Sequence, residues 1–184
     1  MTLWREQFPL ILASQSSTRQ ALLVNAGIDF ETVSADIDER AVQRDSGLSA
    51  PGDIATLLAC EKALKASRRH PGRFIVGADQ TLALGKRLFS KPAGRVQAME
   101  QLSELAGQTH HLHSAVAVVR DSKILFENMT IARMTMRRLD GAEIEAYLNE
   151  IGEAVTLSVG AYQLEGLGIH LFERIEGDHF TILG

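Results

Sequence analysis

A short apolar run, Leu10-Ile11-Leu12-Ala13, empties into Ser14-Gln15-Ser16-Ser17-Thr18-Arg19 and then into the helical pattern Gln20-Ala21-Leu22-Leu23. A buried strand that ends in hydroxyls and opens a helix fixes an α/β junction. It gathers unpaired backbone N–H groups, the positive end of the helix dipole and Arg19 at one point, an arrangement that suits a phosphate. Ser17 and Gln20 have the spacing of a capping box, so the helix is expected to start there. The same residues would serve equally well in a capped helix that binds nothing, and the junction alone does not decide between the two.

The remainder of the chain narrows the choice. Its 184 residues suit a single domain, or one domain with two lobes, and 45% hydrophobic residues are enough for a substantial core. With 19 basic against 23 acidic residues the net charge is −4, which argues against a nucleic-acid groove held by general basicity. Any polyanion would then be small and held by a few placed cations. The single cysteine, Cys60, excludes an intrachain disulfide. No apolar stretch approaches the roughly 20 residues that span a bilayer, and the first residues lack a charged-then-apolar signal pattern, so a soluble cytoplasmic protein is expected.

Along the chain, Gly27 closes the first helix, Phe30 to Val33 reads as a short strand, and Asp36-Ile37-Asp38-Glu39 as an acidic loop. Asp53 is placed to cap a helix with Ile54, Leu57, Leu58 and Leu64 along one side. Lys62 falls one turn beyond Leu58, at the edge of that face, where its stem can be covered while the ammonium reaches a cleft. Phe74-Ile75-Val76 reads as a buried strand delivering Gly77-Ala78-Asp79-Gln80 at its end. In the second half, Val96 to Leu105 marks a helix closed by Gly107. The segments His111 to Arg120 and Lys123 to Arg138 are β-rich around a turn at Asp121-Ser122, and Asp140 with Glu143 caps another helix. Val155 to Val159 and Ile169 to Ile175 read as strands. Helices and strands that alternate and then cluster as strands predict an α/β protein with a mixed sheet and two lobes.

Asp79, directly after an apolar strand, is expected at the rim of a sheet, where a carboxylate binds Mg²⁺ or orients a water. Asp38 and Glu39 offer a second carboxylate to a metal. Lys91 precedes Pro92, which restricts its backbone. His111 and His113 share one strand face and His110 the other, with no Cys or acidic partners at zinc spacing. There is no G-x-x-x-x-G-K-[ST] loop, no G-x-S-x-G elbow and no dinucleotide fingerprint.

In their order and spacing these residues resemble one family, the Maf-like nucleoside triphosphate pyrophosphatases. The resemblance runs from Leu10 to Gly184. It rests on ASQSSTRQALL from Ala13, Asp38-Glu39, Glu61-Lys62-Ala63, Gly77-Ala78-Asp79-Gln80, Ser90-Lys91-Pro92, Leu105-Ala106-Gly107 with His110, and Gly160-Ala161-Tyr162 to Glu165-Gly166. It implies a Maf/Ham1-like fold: a mixed, curved central sheet flanked by helices, with two lobes and a cleft between them in one domain over 1–184. It also implies hydrolysis of a nucleoside triphosphate between the α and β phosphates, to a nucleoside monophosphate and pyrophosphate, with a divalent cation, Mg²⁺ or Mn²⁺. On that reading Ser14, Ser16 and Arg19 hold phosphate, Lys62 and Lys91 neutralise charge, and Glu39 and Asp79 bind metal or activate water; the family gives the proton-acceptor role to the aspartate matching Asp79. A homodimer, a role in sanitising nucleotide pools and a link to septum formation and division arrest belong to the same implication.

Within the family, Gln80 and the stretch LEGLGIHLFERIEG from Leu164 are similar to the branch acting on 7-methyl-GTP, with Gln80 and Glu165 at the base. The branch acting on dTTP and UTP usually has Thr and Gln at those two positions and is the alternative. A nucleotide-binding regulator of septum formation with little turnover is another, although Arg19, Lys62, Asp79 and Lys91 together count against it. Thr18 stands where the family usually has Arg or Trp. The family pattern continues through a Leu-Pro segment into a final helix, so a further helix is expected beyond Gly184.

Overall fold

The computed structural model describes residues 4–184, which divide into two compact units. The first comprises the chain up to Gln80, Ser114–Thr130 and Gly184; the second comprises Thr81–His113 and Ile131–Leu183.

In the first unit, β1 (Leu10–Leu12) pairs in parallel with β2 (Phe30–Thr32) and with the start of β3 (Ile75–Leu84), Ile11 facing Ile75. Each parallel return runs through helices, as parallel pairing requires: α1 (Ser17–Asn25) leads to β2, and α2 (Glu39–Ser46) and α3 (Pro51–Ser67) lead to β3. The core here is built from small residues. Ala55, Ala59, Ala63 and Ala66 recur along α3 and pack with Ile11, Ala13, Ile75, Ala115 and Ala117. Gly77 completes the close approach: a Cβ there would stand 2.2 Å from the Ala59 carbonyl oxygen and 2.8 Å from the Ala63 nitrogen. Only glycine lets β3 come this near to α3.

In the second unit, the far end of β3 pairs antiparallel with β4 (Arg87–Phe89), Leu82 facing Phe89. The strands β5 (Thr109–Arg120) and β6 (Lys123–Met136) contribute to both units, and β6 pairs antiparallel with β7 (Phe172–Glu176). The core of this unit is larger-grained: Leu102 and Leu105 of α4 (Arg95–Leu105), Ile144 and Leu148 of α5 (Gly141–Ile151), Met134, Met136 and Tyr162. Among the described residues the strands form one mixed seven-stranded sheet in the order β2-β1-β3-β5-β6-β7, with β4 on β3. The expected α/β class with a mixed sheet flanked by helices is therefore what the chain adopts.

Several local expectations are corrected. The N-cap of α1 is Ser16, whose Oγ accepts from the Arg19 backbone N–H, so the cap lies one residue before the Ser17 capping box. The helix α3 starts at Pro51, a residue suited to a first turn, and Asp53 stands inside that turn instead of capping it. The acidic loop expected over Asp36 to Glu39 stops at Asp38, because Asp38 caps a helix that Glu39 opens and Gly47, with φ +68°, ends. Val155 to Val159 is not a strand. Gly152–Thr156 and Val159–Ala161 are 3-10 turns, and Leu157 between them keeps a helical backbone, φ −82° and ψ −23°, where a strand would have to extend. By contrast, Asp140 and Glu143 form the full reciprocal cap on α5, and Asp121 and Ser122, both at positive φ, make the tight turn between β5 and β6.

Candidate active site

Where β1 gives way to α1, the chain bends back on its own hydroxyls. Ser14 is 8% exposed, and its Oγ accepts from the Ser16 backbone N–H at 3.2 Å and from Nη1 of Arg19 at 3.3 Å. The Arg19 side chain is half-buried. Nη1 also donates to the Ala78 carbonyl at 2.8 Å, and Nε donates to the Gly184 carbonyl at 2.5 Å. Burial lowers the Arg19 pKa, opposed by Asp79 and then Glu39, and an arginine so placed stays charged. The junction therefore holds a fixed positive charge tied to the residue just before Asp79.

Asp79 lies within β3 and not beyond its end, which corrects the expected rim position. The physical reason is the unequal length of neighbours. β1 stops at Leu12, opposite Val76, and the last link on that side runs from the Ala13 N–H to the Val76 carbonyl. Past Val76 the β1 edge of β3 has no strand partner from β1, so Asp79 stands at the end of the paired region while its own strand continues. A carboxylate beyond a neighbour's last residue is the usual ligand position in open α/β sheets.

Lys62 reaches the same place from α3. Only 8% exposed, it donates from Nζ to Oδ1 of Asp79 at 2.5 Å and stands 2.8 Å from Oε1 of Glu39 on the first turn of α2. One ammonium thus bridges two carboxylates from separate elements. Burial, the largest effect, pushes the Asp79 carboxyl above its ordinary range; Lys62 and then Arg19 pull against it, and Glu39 adds to the rise. The donor set suits a hard divalent cation. Glu39 and Asp79 each meet Lys62 through one oxygen, and small cations of this kind are held by one or two carboxylates together with substrate phosphates.

The first unit also holds Gln80, whose Nε2 donates to Oγ of Ser114 at 2.8 Å. The remaining sequence candidates belong to the second unit. Lys91 is exposed and flanked by buried Pro92. Its chain is anchored one residue earlier, where buried Gln101 of α4 donates to the Ser90 carbonyl at 2.9 Å. Glu165 is exposed in a turn in which the N–H groups of Gly166 and Gly168 both donate to the Gln163 carbonyl. Its charge contributes to raising the Tyr147 hydroxyl to about 12, behind burial of that ring.

The structure thus gathers Ser14, Ser16, Arg19, Glu39, Lys62 and Asp79, with Gln80 next in line on β3. Sequence reasoning passed over Ser114 and Gln101, isolated polar residues with no local pattern. It also missed Lys65 and Arg69, whose spacing from Lys62 places all three on one helical stripe and was a usable signal.

The family model for Maf-like proteins matches residues 9–184. The chain belongs to the Maf-like family. The Maf-like chain is 66% identical over 184 residues to a protein named nucleoside triphosphate pyrophosphatase from Bradyrhizobium diazoefficiens, covering 100% of this chain and 91% of that relative. It is 51% identical over 178 residues to one named 7-methyl-GTP pyrophosphatase from Brucella abortus, covering 95% of this chain and 89% of the relative. Among solved structures, a HAM1 protein from Coxiella burnetii superposes with a TM-score of 0.46 at 16% identity, over 71% of this chain and 73% of that one.

Proposed function

We propose that this Maf-like chain is a nucleoside triphosphate pyrophosphatase that acts on 7-methyl-GTP, releasing the nucleoside monophosphate and pyrophosphate. The observation that carries the reading is the buried Lys62 held between Glu39 and Asp79. A buried ammonium with two carboxylates stabilises little on its own account, since taking the charges out of water offsets their attraction. It is better explained as machinery awaiting a charged substrate.

In this reading Ser14, Ser16, the positive end of the α1 dipole and the charge of Arg19 bind phosphate oxygens. Lys62 and Lys91 neutralise charge that builds up as the α–β bond breaks. Asp79 takes the proton of the attacking water. Its raised pKa makes it a stronger base than a surface aspartate, and the bond from Lys62 fixes the orientation of its carboxylate. Glu39 and Asp79 would hold a divalent cation, Mg²⁺ or Mn²⁺, which when bound polarises the phosphoryl group.

The choice of base rests on Gln80 and Glu165 and on the name carried by the Brucella relative. Guanine methylated at N7 carries a positive ring charge at neutral pH, so a carboxylate such as Glu165 is worth more to it than an amide, and Gln80 supplies a polar group for the purine edge. A cytoplasmic location, where the nucleotide pool lies, and a homodimer belong to the same proposal; no helix among the described residues is long and apolar enough to cross a membrane. The test is pyrophosphate release from 7-methyl-GTP, GTP, dTTP and UTP side by side. Fastest release from 7-methyl-GTP is expected; faster hydrolysis of dTTP or UTP would assign the chain to the other branch.

A further inference from the structure

Between β2 and α2 the chain passes through a turn that is held at unusually many points. Asp36 adopts φ +51°, a left-handed conformation that a residue with a side chain keeps only when its surroundings impose it. Those surroundings are identifiable. Oγ of Ser34 donates to Oδ1 of Asp36 at 2.6 Å, Nη1 of Arg69 donates to Oδ2 of Asp36 at 2.9 Å, and Nη2 of Arg69 donates to the Ser34 carbonyl at 2.5 Å. Nζ of Lys65 donates to the Asp36 carbonyl. Ile37 packs against the alanine-rich core, and Asp38 caps α2 through the Ala41 N–H at 3.0 Å.

The two basic residues come from one place. Lys62 and Lys65 lie on α3, and Arg69 lies in the turn that continues it, so the spacings of three and four put all three cations on one side. The first of them meets Glu39; the other two hold the turn that ends three residues before Glu39. The ion pair between Arg69 and Asp36 is exposed, with side chains 45% and 58% accessible, and pairs of this kind add little to overall stability. A strained turn held by several weak contacts serves location better than stability. Its effect is to fix the start of α2 relative to the helix that carries Lys62.

We propose that Arg69 and Lys65 are positioning residues, forming with Asp36 a clasp that sets where the Glu39 carboxylate stands against Lys62. The functional half of the proposal rests on Glu39 taking part in nucleotide hydrolysis; the structural half does not.

The test uses the full chain and three variants, Arg69→Gln, Arg69→Lys and Glu39→Gln, with the double variant Arg69→Gln/Glu39→Gln. Amide hydrogen exchange without nucleotide is measured first. In Arg69→Gln the amides of residues 35–40 should exchange about tenfold faster, while those in the middle of α3 stay unchanged and the melting temperature hardly moves. Pyrophosphate release from 7-methyl-GTP is measured second. Arg69→Gln should lower kcat about tenfold, the scale expected when a group of the site is displaced by a fraction of an ångström, with KM less affected. Arg69→Lys should recover part of the loss, and the loss should vanish in the Glu39→Gln background, where there is no carboxylate to position. Unchanged exchange at 35–40, or losses that multiply in the double variant, would overturn the clasp. If wild-type protein releases no pyrophosphate from any nucleoside triphosphate, the proposed function fails on its own, and the exchange experiment still decides whether Arg69 fixes the turn.

Discussion

Nζ of Lys62 and Oδ1 of Asp79 are 2.5 Å apart, each side chain only 10% accessible, and they come from a helix and a strand that touch through glycine and alanine. Close packing of the backbone is what brings this charged pair together, and Glu39 joins it from the more exposed side at 53%.

Lys62→Met keeps the length of the stem and removes the charge, leaving Asp79 buried without its partner. Stability should fall by about 3 kcal/mol, the cost of breaking a buried pair from one side, reduced to the extent that Asp79 takes up a proton. Urea unfolding of the variant at pH 7 checks this, and a midpoint equal to wild type would show that the pair is not buried in solution.

Gly77→Ala adds one methyl group where the Ala59 carbonyl oxygen is 2.2 Å away and the Ala63 Cβ 2.9 Å away. Backbone cannot yield as the end of a side chain can, so α3 must move off β3. The variant should lose about 3 kcal/mol of stability. Turnover should fall as well, because the displacement separates Lys62 from Asp79. Full activity at full stability would mean that α3 and β3 do not approach this closely.

His110 gives stability a pH dependence. Its ring is wholly buried, with Nε2 2.7 Å from the Tyr162 hydroxyl, and among the described residues its Nδ1 has no hydrogen-bond partner. Burial first, and His111 second, lower its pKa from 6.5 to about 4. The folded state therefore binds the proton more weakly than the unfolded chain. The stability is full above pH 6.5 and is lost as pH falls towards 4, by up to about 3 kcal/mol over that window. Denaturant unfolding at pH 7 and pH 5 should show the loss in wild type. In His110→Leu this part of the slope should be absent, and an unaltered slope would place its source in other groups.

Glu165→Gln should narrow the proposed preference for 7-methyl-GTP over GTP by about 1 to 3 kcal/mol, the scale on which a charged hydrogen bond becomes neutral. The measurement is kcat/KM for the two nucleotides in wild type and variant. An unaltered ratio would place the discrimination elsewhere.

What was legible in the sequence followed from local rules. The junction at Ser14 to Arg19, the reciprocal cap of Asp140 and Glu143, and the turn at Asp121-Ser122 each depend on residues within a few positions of one another. The errors have an equally physical source. The apolar run stops at Val76 and so places Asp79 after the strand, whereas the strand continues because hydrogen bonding depends on its neighbours and not on its own hydropathy. Val155, Leu157 and Val159 alternate with other residues as a strand would, but Val155 is buried in 3-10 turns and Leu157 is 57% exposed. Lys62, Asp79 and Arg19 were each legible as candidates. That Lys62 bridges Glu39 and Asp79, and that Arg19 binds the Ala78 and Gly184 carbonyls, depends on contacts between distant segments that spacing does not encode.

The central claim is that Asp79 acts as the base in α–β cleavage, and Asp79→Asn tests it most directly because the substitution is nearly isosteric and leaves Lys62 its partner in Glu39. Pyrophosphate release from 7-methyl-GTP at saturating nucleotide should fall by at least about 100-fold in a variant whose circular dichroism and melting temperature match wild type. Turnover within a few-fold of wild type in that folded variant would contradict the account.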